Sequence, residues 1–314
     1  MHILLTGGCG YVGSVLTPTL LENGFKVTVV DTMWFGNYLK GHKHLKVIQK
    51  DIRNIGNIPI KGVDAVIHLA NISNDPCGEL DAKLSWEVNA LATMQLVEHA
   101  ICHNVKQFIY ASSGSVYGVK QEPEVTEDLS LTPISDYNKT KMISERVLLS
   151  YSDAIVFQCI RPATICGYSP RMRLDLSVNM LTMQALSNGR ITVFGGKQTR
   201  PNLHMKDMVA IYLHLLDRGE TVAGIYNAGF ENMSIMDIAK QVTKFVPAEI
   251  VVTESNDPRS YRLNSDKLLN TGFQPKYGVT DGIHEVIAAF QSGKLKDDED
   301  YYNIKTMKKI LIPN

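Results

Sequence analysis

Short apolar runs alternate with longer amphipathic segments through the first half of the chain. Such runs, bounded by turn-forming residues, are typical of buried strands, and apolar positions three and four apart are typical of helices. The pattern predicts strands at His2–Thr6, Lys26–Asp31, Leu45–Gln49, Ala65–Leu69, Gln107–Ala111 and Ala154–Ile160. It predicts long helices at Gly13–Asn23, Leu84–Asn104 and Asp136–Tyr151. The alternation therefore predicts an α/β fold of the Rossmann type, a doubly wound parallel sheet covered by helices on both faces.

The regular alternation is lost in the second half, where polar loops separate the apolar segments. We therefore predict a Rossmann unit formed by residues 1–165 with 203–228. A smaller C-terminal substrate-binding unit would comprise residues 166–202 with 229–314. The last stretch, Lys294–Asn314, mixes acidic and basic residues with few apolar ones, and no function is assigned to it.

Composition narrows the class of protein. The 314 residues are 44% hydrophobic, and 32 basic residues balance 32 acidic ones, which predicts neither a nucleic-acid surface nor a membrane surface. The five cysteines include no C-x-x-C pair, so we expect reduced thiols in a cytoplasmic protein and no metal site. The N-terminal sequence contains no long apolar run, so neither a signal peptide nor a membrane span is predicted.

A glycine-rich loop joins the first strand to the first helix. Gly7, Gly10 and Gly13 follow the apolar strand with the spacing G-x-x-G-x-x-G, and Tyr11 and Val12 complete the loop. Gly7 can adopt a tight turn, Gly10 leaves room for a phosphate, and Gly13 lets the helix pack closely. The free N–H groups at the start of that helix would then face a pyrophosphate, although a plain structural turn is the alternative.

Further candidates lie at the ends of the following strands. Asp31 ends the second strand, where its carboxylate can accept both ribose hydroxyls of an adenosine and repel a 2′-phosphate, which favours NAD over NADP. The alternative is a turn-forming aspartate. Asp51 and Ile52 follow the third strand near the expected adenine. His68 is interpreted as structural, and we expect a pyrophosphate beside the residues that follow it, Leu69, Ala70 and Asn71.

Hydroxyl groups gather after the fifth strand, at Ser112 and Ser113, where the ligand crevice of an open α/β sheet lies. Tyr137 and Lys141 are four residues apart and share one helix face. A free tyrosine, with a pKa near ~10, is a poor base at neutral pH. The lysine ammonium, together with the positive nicotinamide of an oxidised cofactor, would favour the phenolate.

Together these motifs resemble the extended short-chain dehydrogenase/reductase family, most closely its NAD-dependent nucleotide-sugar epimerase/dehydratase branch, which includes UDP-galactose 4-epimerase. The resemblance implies that Tyr137 is the general base and acid, that Lys141 holds the nicotinamide ribose, and that Ser113 binds the sugar oxygen. It also implies that Asn89 and Pro162 lie near the cofactor. We expect Ser73 and its neighbours to line the sugar pocket.

The resemblance also implies a diphosphate site in the second half, formed by one asparagine and several arginines. Arginine suits this task because its planar guanidinium binds phosphate in a bidentate manner. The residues expected to form it are Asn179, Arg200 and Arg259, followed by Arg171 and Arg173. The alternative for any single arginine is a solvated or salt-bridged position in a loop.

Several reactions remain open within this family. If the 4-keto sugar turns over before the hydride returns, the product is the epimer and the enzyme is an epimerase. If the keto sugar leaves, the enzyme is a dehydrogenase. If a keto sugar arrives from elsewhere, the enzyme is a reductase. Dehydratases of the family carry Asp-Glu directly after the catalytic hydroxyl, whereas Gly114 and Ser115 stand there in this chain. A non-catalytic dinucleotide sensor is a further alternative, and the resemblance implies a homodimer formed by two long helices.

Overall fold

Seven parallel strands form the central sheet of the protein, whose computed structural model describes residues 1–254 and 260–312. These strands are β1 (His2–Thr6), β2 (Lys26–Asp31), β3 (Leu45–Gln49), β4 (Ala65–His68), β5 (Gln107–Ala111), β6 (Val156–Pro162) and β10 (Gly224–Ala228). Their order across the sheet is β10–β6–β5–β4–β1–β2–β3. The predicted Rossmann-type fold is confirmed. The seventh strand escaped prediction because it lies far along the chain, within the irregular second half.

Both faces of the inner strands of the sheet are buried, which explains their continuous apolar sequences. Successive side chains of a strand point to opposite faces. In β1, Ile3 and Leu5 therefore belong to one hydrophobic core, and Leu4 belongs to another. The helices that cover the sheet begin with α1 (Gly13–Glu22), α2 (Asp75–Leu80), α3 (Ala82–Trp86), α4 (Ala92–Cys102) and α5 (Asp136–Leu149).

The predicted helix Leu84–Asn104 is interrupted. A single π-helical turn, Glu87–Leu91, separates α3 from α4. Such turns often accompany functional sites because they redirect one side chain. Here the turn carries Asn89, whose amide bonds the backbone of Ile72 and the hydroxyl of Thr140. The strand predicted at Ala154–Ile160 begins at Val156 instead, because Ala154 and Ile155 bond the carbonyl of Tyr151 in the turn after α5.

The second half adds two small sheets. β7 (Thr164–Cys166), β9 (Thr199–His204) and β11 (Glu231–Ser234) form one, and β8 (Arg190–Phe194) with β12 (Glu249–Thr253) forms the other. The remaining helices are α6 (Ser177–Asn188), α7 (Met205–Arg218), α8 (Ile235–Thr243), α9 (Asp266–Leu269), α10 (Val279–Gln291) and α11 (Asn303–Leu311). No helix among the described residues is both long and apolar enough to span a bilayer.

The last helix, α11, departs from the predicted division of the chain. It was assigned to the second unit, but it packs against α2, and its Met307 is buried in the same core as Leu96 and Phe108 of the Rossmann unit. The apolar spacing of Ile304, Met307 and Leu311 creates the buried face of this helix. Helix α11 therefore lies near the carboxyl ends of the central strands, beside α2.

Candidate active site

The glycine loop forms one wall of a cavity at the carboxyl ends of the strands. Gly7 has a positive φ of 73°, and a Cβ atom there would lie 2.5 Å from the backbone nitrogen of Ala70. A Cβ at Gly13 would lie 2.5 Å from the carbonyl oxygen of Gly7. Helix α1 begins directly after the loop and has no side-chain cap at its N-terminus. Its first N–H groups are therefore available to an anion.

Asp31 lies at the end of β2 beside this loop. Its Oδ2 accepts a hydrogen bond from the N–H of Cys9 at 3.0 Å, and its Oδ1 accepts one from the N–H of Met33 at 2.7 Å. Burial raises the pKa of Asp31, and these two N–H groups and the charge of Arg171 oppose the rise. Each carboxylate oxygen can accept a further hydrogen bond, so ribose hydroxyls remain acceptable partners.

The cavity has a volume of about 390 Å³ and brings together most of the predicted site residues. Those that line it are Gly7, Gly10, Tyr11, Val12, Gly13, Asp31, Asp51, Ile52, Leu69, Ala70, Asn71, Ser73, Ser112, Ser113, Tyr137, Lys141, Pro162, Arg171 and Arg173. They come from both halves of the chain, so the cavity lies where the two predicted units meet.

Three predicted residues do not line this cavity. Asn179 is fully buried, and its amide is occupied by the N–H of Gly167, the hydroxyl of Tyr11 and the carbonyl of Arg173. Its predicted contact with a diphosphate is therefore not supported. Asn89 lies behind the cavity, in the π-helical turn. Arg200 donates a hydrogen bond to the carbonyl of Thr199.

Arg259, the remaining predicted residue, lies outside the described residues.

Tyr137, Lys141 and Ser113 meet inside the cavity. Helix α5 begins with Ser135 as its N-cap, and this places Tyr137 in the first turn and Lys141 one turn later. The Nζ of Lys141 donates to the carbonyl of Ala111 at 2.5 Å and lies 5.9 Å from the centroid of the Tyr137 ring. With the amide of Asn71 oriented to satisfy its neighbours, its oxygen accepts from the same Nζ at 3.1 Å.

Burial dominates the ionisation of this pair. It raises the pKa of Tyr137 to about 12, although the Ser113 hydroxyl and the charge of Arg173 lower it. Burial also lowers the pKa of Lys141 to about 7, against the opposing effects of Cys159 and Glu145. Without a bound cofactor, burial thus affects both pKa values more strongly than the neighbouring charges do. The phenolate expected from the sequence requires a further positive charge in the cavity, such as an oxidised nicotinamide ring.

A buried ion pair holds the strand ends that carry these groups. Arg161 of β6 donates to both oxygens of Glu145 in α5, at 3.0 Å from Nε and 2.6 Å from Nη2. The hydroxyl of Ser112 donates to the same carboxylate. Arg161 also donates to the Tyr117 hydroxyl at 2.7 Å, and that hydroxyl donates to Asn227 of β10. The group, which we call the Arg161 cluster, therefore joins β5, β6, β10 and α5.

A second buried arginine lies in a different environment. The Nη2 of Arg171 donates to Oδ1 of Asn303 in α11 at 2.5 Å, and Nη1 donates to the carbonyl of Met172 at 3.3 Å. Its guanidinium carbon lies 4.1 Å from the centroid of the Phe35 ring. Among the described residues, no carboxylate lies within ion-pair distance of Arg171. Neighbouring Arg173, by contrast, forms two hydrogen bonds with Asp175.

Several residues that line the cavity were not among the site residues predicted from the sequence. They include Trp34, Phe35, Lys50, Ser115, Thr164, Ile165, Tyr261, Asn303 and Met307. For α11 a signal was present, because Ile304, Met307 and Leu311 have helical spacing. No comparable pattern marks Trp34 and Phe35, which follow Asp31 in a loop.

These residues fit a dinucleotide. The loop excludes side chains at Gly7 and Gly13, α1 presents uncapped N–H groups, and Asp31 offers a carboxylate at the end of β2. When bound, the oxidised form of NAD accepts a hydride and brings a positive charge. On this side of the cavity, Lys141 and Asn71 would hold the nicotinamide ribose, and Asp31 would hold the adenosine ribose.

Comparison with known proteins finds relatives that are nucleotide-sugar epimerases and dehydratases. A UDP-glucose 4-epimerase of Lactobacillus helveticus is 25% identical over 90% of this chain and 94% of its own length. The human dTDP-D-glucose 4,6-dehydratase is 26% identical over 99% of this chain and 94% of its own length. The solved UDP-glucuronic acid 4-epimerase of Bacillus cereus, bound to UDP-glucuronic acid and NAD, is 26% identical. It covers 93% of this chain and 99% of its own, with a TM-score of 0.80.

The model of the NAD dependent epimerase/dehydratase family matches residues 3–229. This match includes the glycine loop, Asp31, Tyr137 and Lys141, and it ends just after β10. The resemblance stated from the motifs is confirmed, as is the prediction of NAD as the cofactor. The chain belongs to the NAD-dependent epimerase/dehydratase family of enzymes.

Proposed function

We propose that this protein is a nucleotide-sugar 4-epimerase that works through a transient 4-keto sugar. The observation that carries the proposal is the meeting of Tyr137, Lys141 and Ser113 in one cavity with the glycine loop. A phenol, an ammonium and a hydroxyl beside a dinucleotide site are the groups needed to remove a proton from the oxygen, and a hydride from the carbon, of one carbinol group.

The chemistry of the residues follows from their contacts. Tyr137 accepts the proton of the hydroxyl at carbon 4 while Ser113 holds the same oxygen, and the hydrogen on that carbon leaves as a hydride. Lys141 supplies positive charge one helical turn away, and its hydrogen bond to Ala111 fixes its position. Once the keto sugar has turned over, Tyr137 returns its proton to the oxygen and the hydride returns to the other face. The reaction is redox-neutral, and its product is the epimer.

Two observations disfavour dehydration. Loss of water needs an acid and a base in addition to the catalytic tyrosine. Ser113 is followed by Gly114 and Ser115, and the Ser115 hydroxyl lies 2.7 Å from that of Ser113. Asp75 also lines the cavity, but its Oδ1 already accepts a hydrogen bond from Ser135 at 2.6 Å.

Sugar products test this proposal directly. The purified chain is incubated with UDP-, GDP-, CDP- and dTDP-sugars, with and without added NAD, and the products are identified by NMR. An epimer formed without net reduction of NAD supports the proposal. Net formation of NADH would indicate a nucleotide-sugar 4-dehydrogenase, turnover only from a keto sugar with NADH would indicate a 4-keto reductase, and a deoxy-keto product would indicate a dehydratase. Binding without any product would indicate a sensor.

We also propose a homodimer formed through α4 and α5. The surface around these helices exposes large apolar side chains, including Trp86, Leu91 and Leu149. Helices α3 and α4 each pack against α5, so the three helices can present a continuous face. Light scattering checks this proposal, because a mass equal to that of one chain would contradict it.

The proposed compartment is the cytoplasm. All five cysteines are free, and four of them, Cys9, Cys77, Cys159 and Cys166, are buried. Free buried thiols are typical of reducing compartments. Localisation of a tagged chain by cell fractionation would test this proposal.

A further inference from the structure

The last helix contributes a polar side chain to the cavity. Asn303 is the first residue of α11, is 3% exposed and lines the cavity together with Met307. Its Oδ1 accepts a hydrogen bond from Arg171, and its Nδ2 donates one to the hydroxyl of Ser73 at 3.0 Å. One amide from the end of the chain therefore joins an arginine of the second half to a serine that follows β4.

The arginine held by Asn303 has no carboxylate within ion-pair distance among the described residues, and burial lowers its pKa to about 10 although the charge of Asp175 opposes the fall. Arg171 is 3% exposed, and within the described ranges its side-chain acceptors are one amide oxygen and one carbonyl. A guanidinium has five N–H donors, so donors remain for a ligand. Burying a cation without a carboxylate is costly, and an anion in the cavity would remove that cost.

The position of Arg171 indicates which kind of anion fits. Its guanidinium lies over the ring of Phe35, four residues after Asp31, where an adenosine ribose is expected. Asn303 joins it on another side to Ser73, which is expected to line the sugar pocket. Arg171 thus lies between the ribose end and the catalytic end. A diphosphate occupies the middle of both a dinucleotide and a nucleotide-sugar, and the guanidinium geometry matches phosphate oxygens.

We propose that Asn303 is a positioning residue, which holds the Arg171 guanidinium toward a diphosphate in the cavity and makes α11 part of the ligand site. The phenyl ring of Phe35 supports the other side of the guanidinium. The diphosphate belongs either to the dinucleotide or, resting on the proposed function, to a nucleotide-sugar.

The test uses two substitutions of Asn303 in the full chain. Asn303→Ala removes the hydrogen bond to Arg171. Asn303→Asp retains an acceptor for Arg171 but places a negative charge beside the guanidinium, so it neutralises the cation. Calorimetry measures the affinity of the dinucleotide-free protein for NAD and, separately, for UDP. Lys308→Ala is the matched control, because it alters charge on the exposed face of the same helix.

We expect Asn303→Ala to weaken binding of at least one diphosphate about threefold to tenfold, and Asn303→Asp to weaken it about tenfold to a hundredfold. Lys308→Ala should leave both affinities unchanged. The ligand whose affinity falls identifies the source of the diphosphate. A purely structural role predicts the opposite order, since an aspartate would pair with Arg171 and stabilise the fold.

Three results would overturn the proposal: unchanged affinity for both ligands in Asn303→Asp, a loss in Lys308→Ala as large as in Asn303→Asp, or weaker binding in the alanine variant than in the aspartate variant. Thermal unfolding of each variant establishes that binding is measured on folded protein. The NAD measurement requires no turnover, so the proposal can fail while epimerisation stands, or hold while epimerisation fails.

Discussion

Arg161 and Arg171 are equally buried, each with 3% exposure, yet their surroundings differ. Arg161 forms three hydrogen bonds with the carboxylate of Glu145 and lies over the Tyr117 ring. Arg171 lies over the Phe35 ring, and its nearest acceptors are an amide oxygen and a carbonyl. The protein thus pairs one buried cation directly with a carboxylate, whereas the other has none within ion-pair distance among the described residues.

From this difference we infer that Arg161 stabilises the fold, whereas Arg171 is placed to bind a ligand. Removal of one member of a buried ion pair leaves its partner unpaired, so Arg161 is expected to matter for stability. A buried cation without a counterion lowers stability until an anion binds, so Arg171 is expected to matter for affinity. Measurements on both regions can confirm or break this distinction.

The largest effect is expected at the reacting group near the Arg161 cluster. Tyr137→Phe removes one hydroxyl and should lower kcat about a thousandfold, because no other group in its place can take the proton. Thermal stability and NAD affinity should remain, which would separate chemistry from the structural role of the cluster. Turnover is measured with the sugar identified by the substrate panel. Tyr226→Phe, on the edge strand β10, is the control, and equal losses in the two variants would contradict the assignment.

The next largest effect is a loss of stability at the cluster itself. Arg161→Met should lower the free energy of unfolding by about 3–5 kcal/mol, because Glu145 would remain buried without its partner. Urea denaturation measures the change. The double variant Arg161→Met/Glu145→Gln should recover part of the loss, since it removes the unpaired charge. A loss below about 1 kcal/mol in the single variant would break the comparison.

Arg171→Met should behave in the opposite way. We expect the affinity for NAD or UDP to fall about tenfold to a hundredfold, as a charged contact to phosphate is lost. The free energy of unfolding should change by less than about 1 kcal/mol, because the relieved cost of burying the charge offsets the lost hydrogen bond to Asn303. Calorimetry and urea denaturation of the same sample provide both values. A stability loss like that of Arg161→Met with unchanged affinity would refute the distinction.

A more gradual effect, spread over several pH units, should appear as a pH dependence of stability. Folding lowers the pKa of Lys141 from 10.5 to about 7, so between these values the unfolded chain binds more protons than the folded one. Stability therefore rises with pH in this window, by at most about 1.4 kcal/mol per pH unit. In Lys141→Met this contribution is absent. Urea denaturation of both dinucleotide-free proteins across the window gives the difference, and parallel curves would contradict the expected pKa.

Much of the central sheet could be predicted because each of its strands is local and continuous. The bounds of β1, β2 and β5 agree with the apolar runs, since a strand buried on both faces has a largely apolar sequence. The bounds of β3 agree as well, although this edge strand is partly exposed. The edge strand β10 was missed because its place in the sheet depends on a contact distant in sequence, with β6. The π-helical turn was missed because it depends on the tertiary contacts of Asn89.

The site residues show the same contrast between features that depend on local sequence and features that depend on distant contacts. Motifs with fixed spacing, such as Gly7 to Gly13 or Tyr137 with Lys141, reach the cavity because local geometry places them there. Asn179 was predicted to bind a phosphate because its residue type suits one, whereas in the structure its amide is bonded to Tyr11 and Gly167. Asn303 was overlooked because no local pattern shows that the last helix returns to the strand ends.

The hydrogen bonds around Tyr11 limit how the enzyme can open. The Tyr11 hydroxyl donates to the carbonyl of Gly167 at 2.7 Å, and Ser169 donates to the carbonyl of Tyr11 at 2.7 Å. Any rotation that separated the glycine loop from the loop after β7 would have to break both of these hydrogen bonds. We therefore expect these two segments to move together when a ligand enters or leaves.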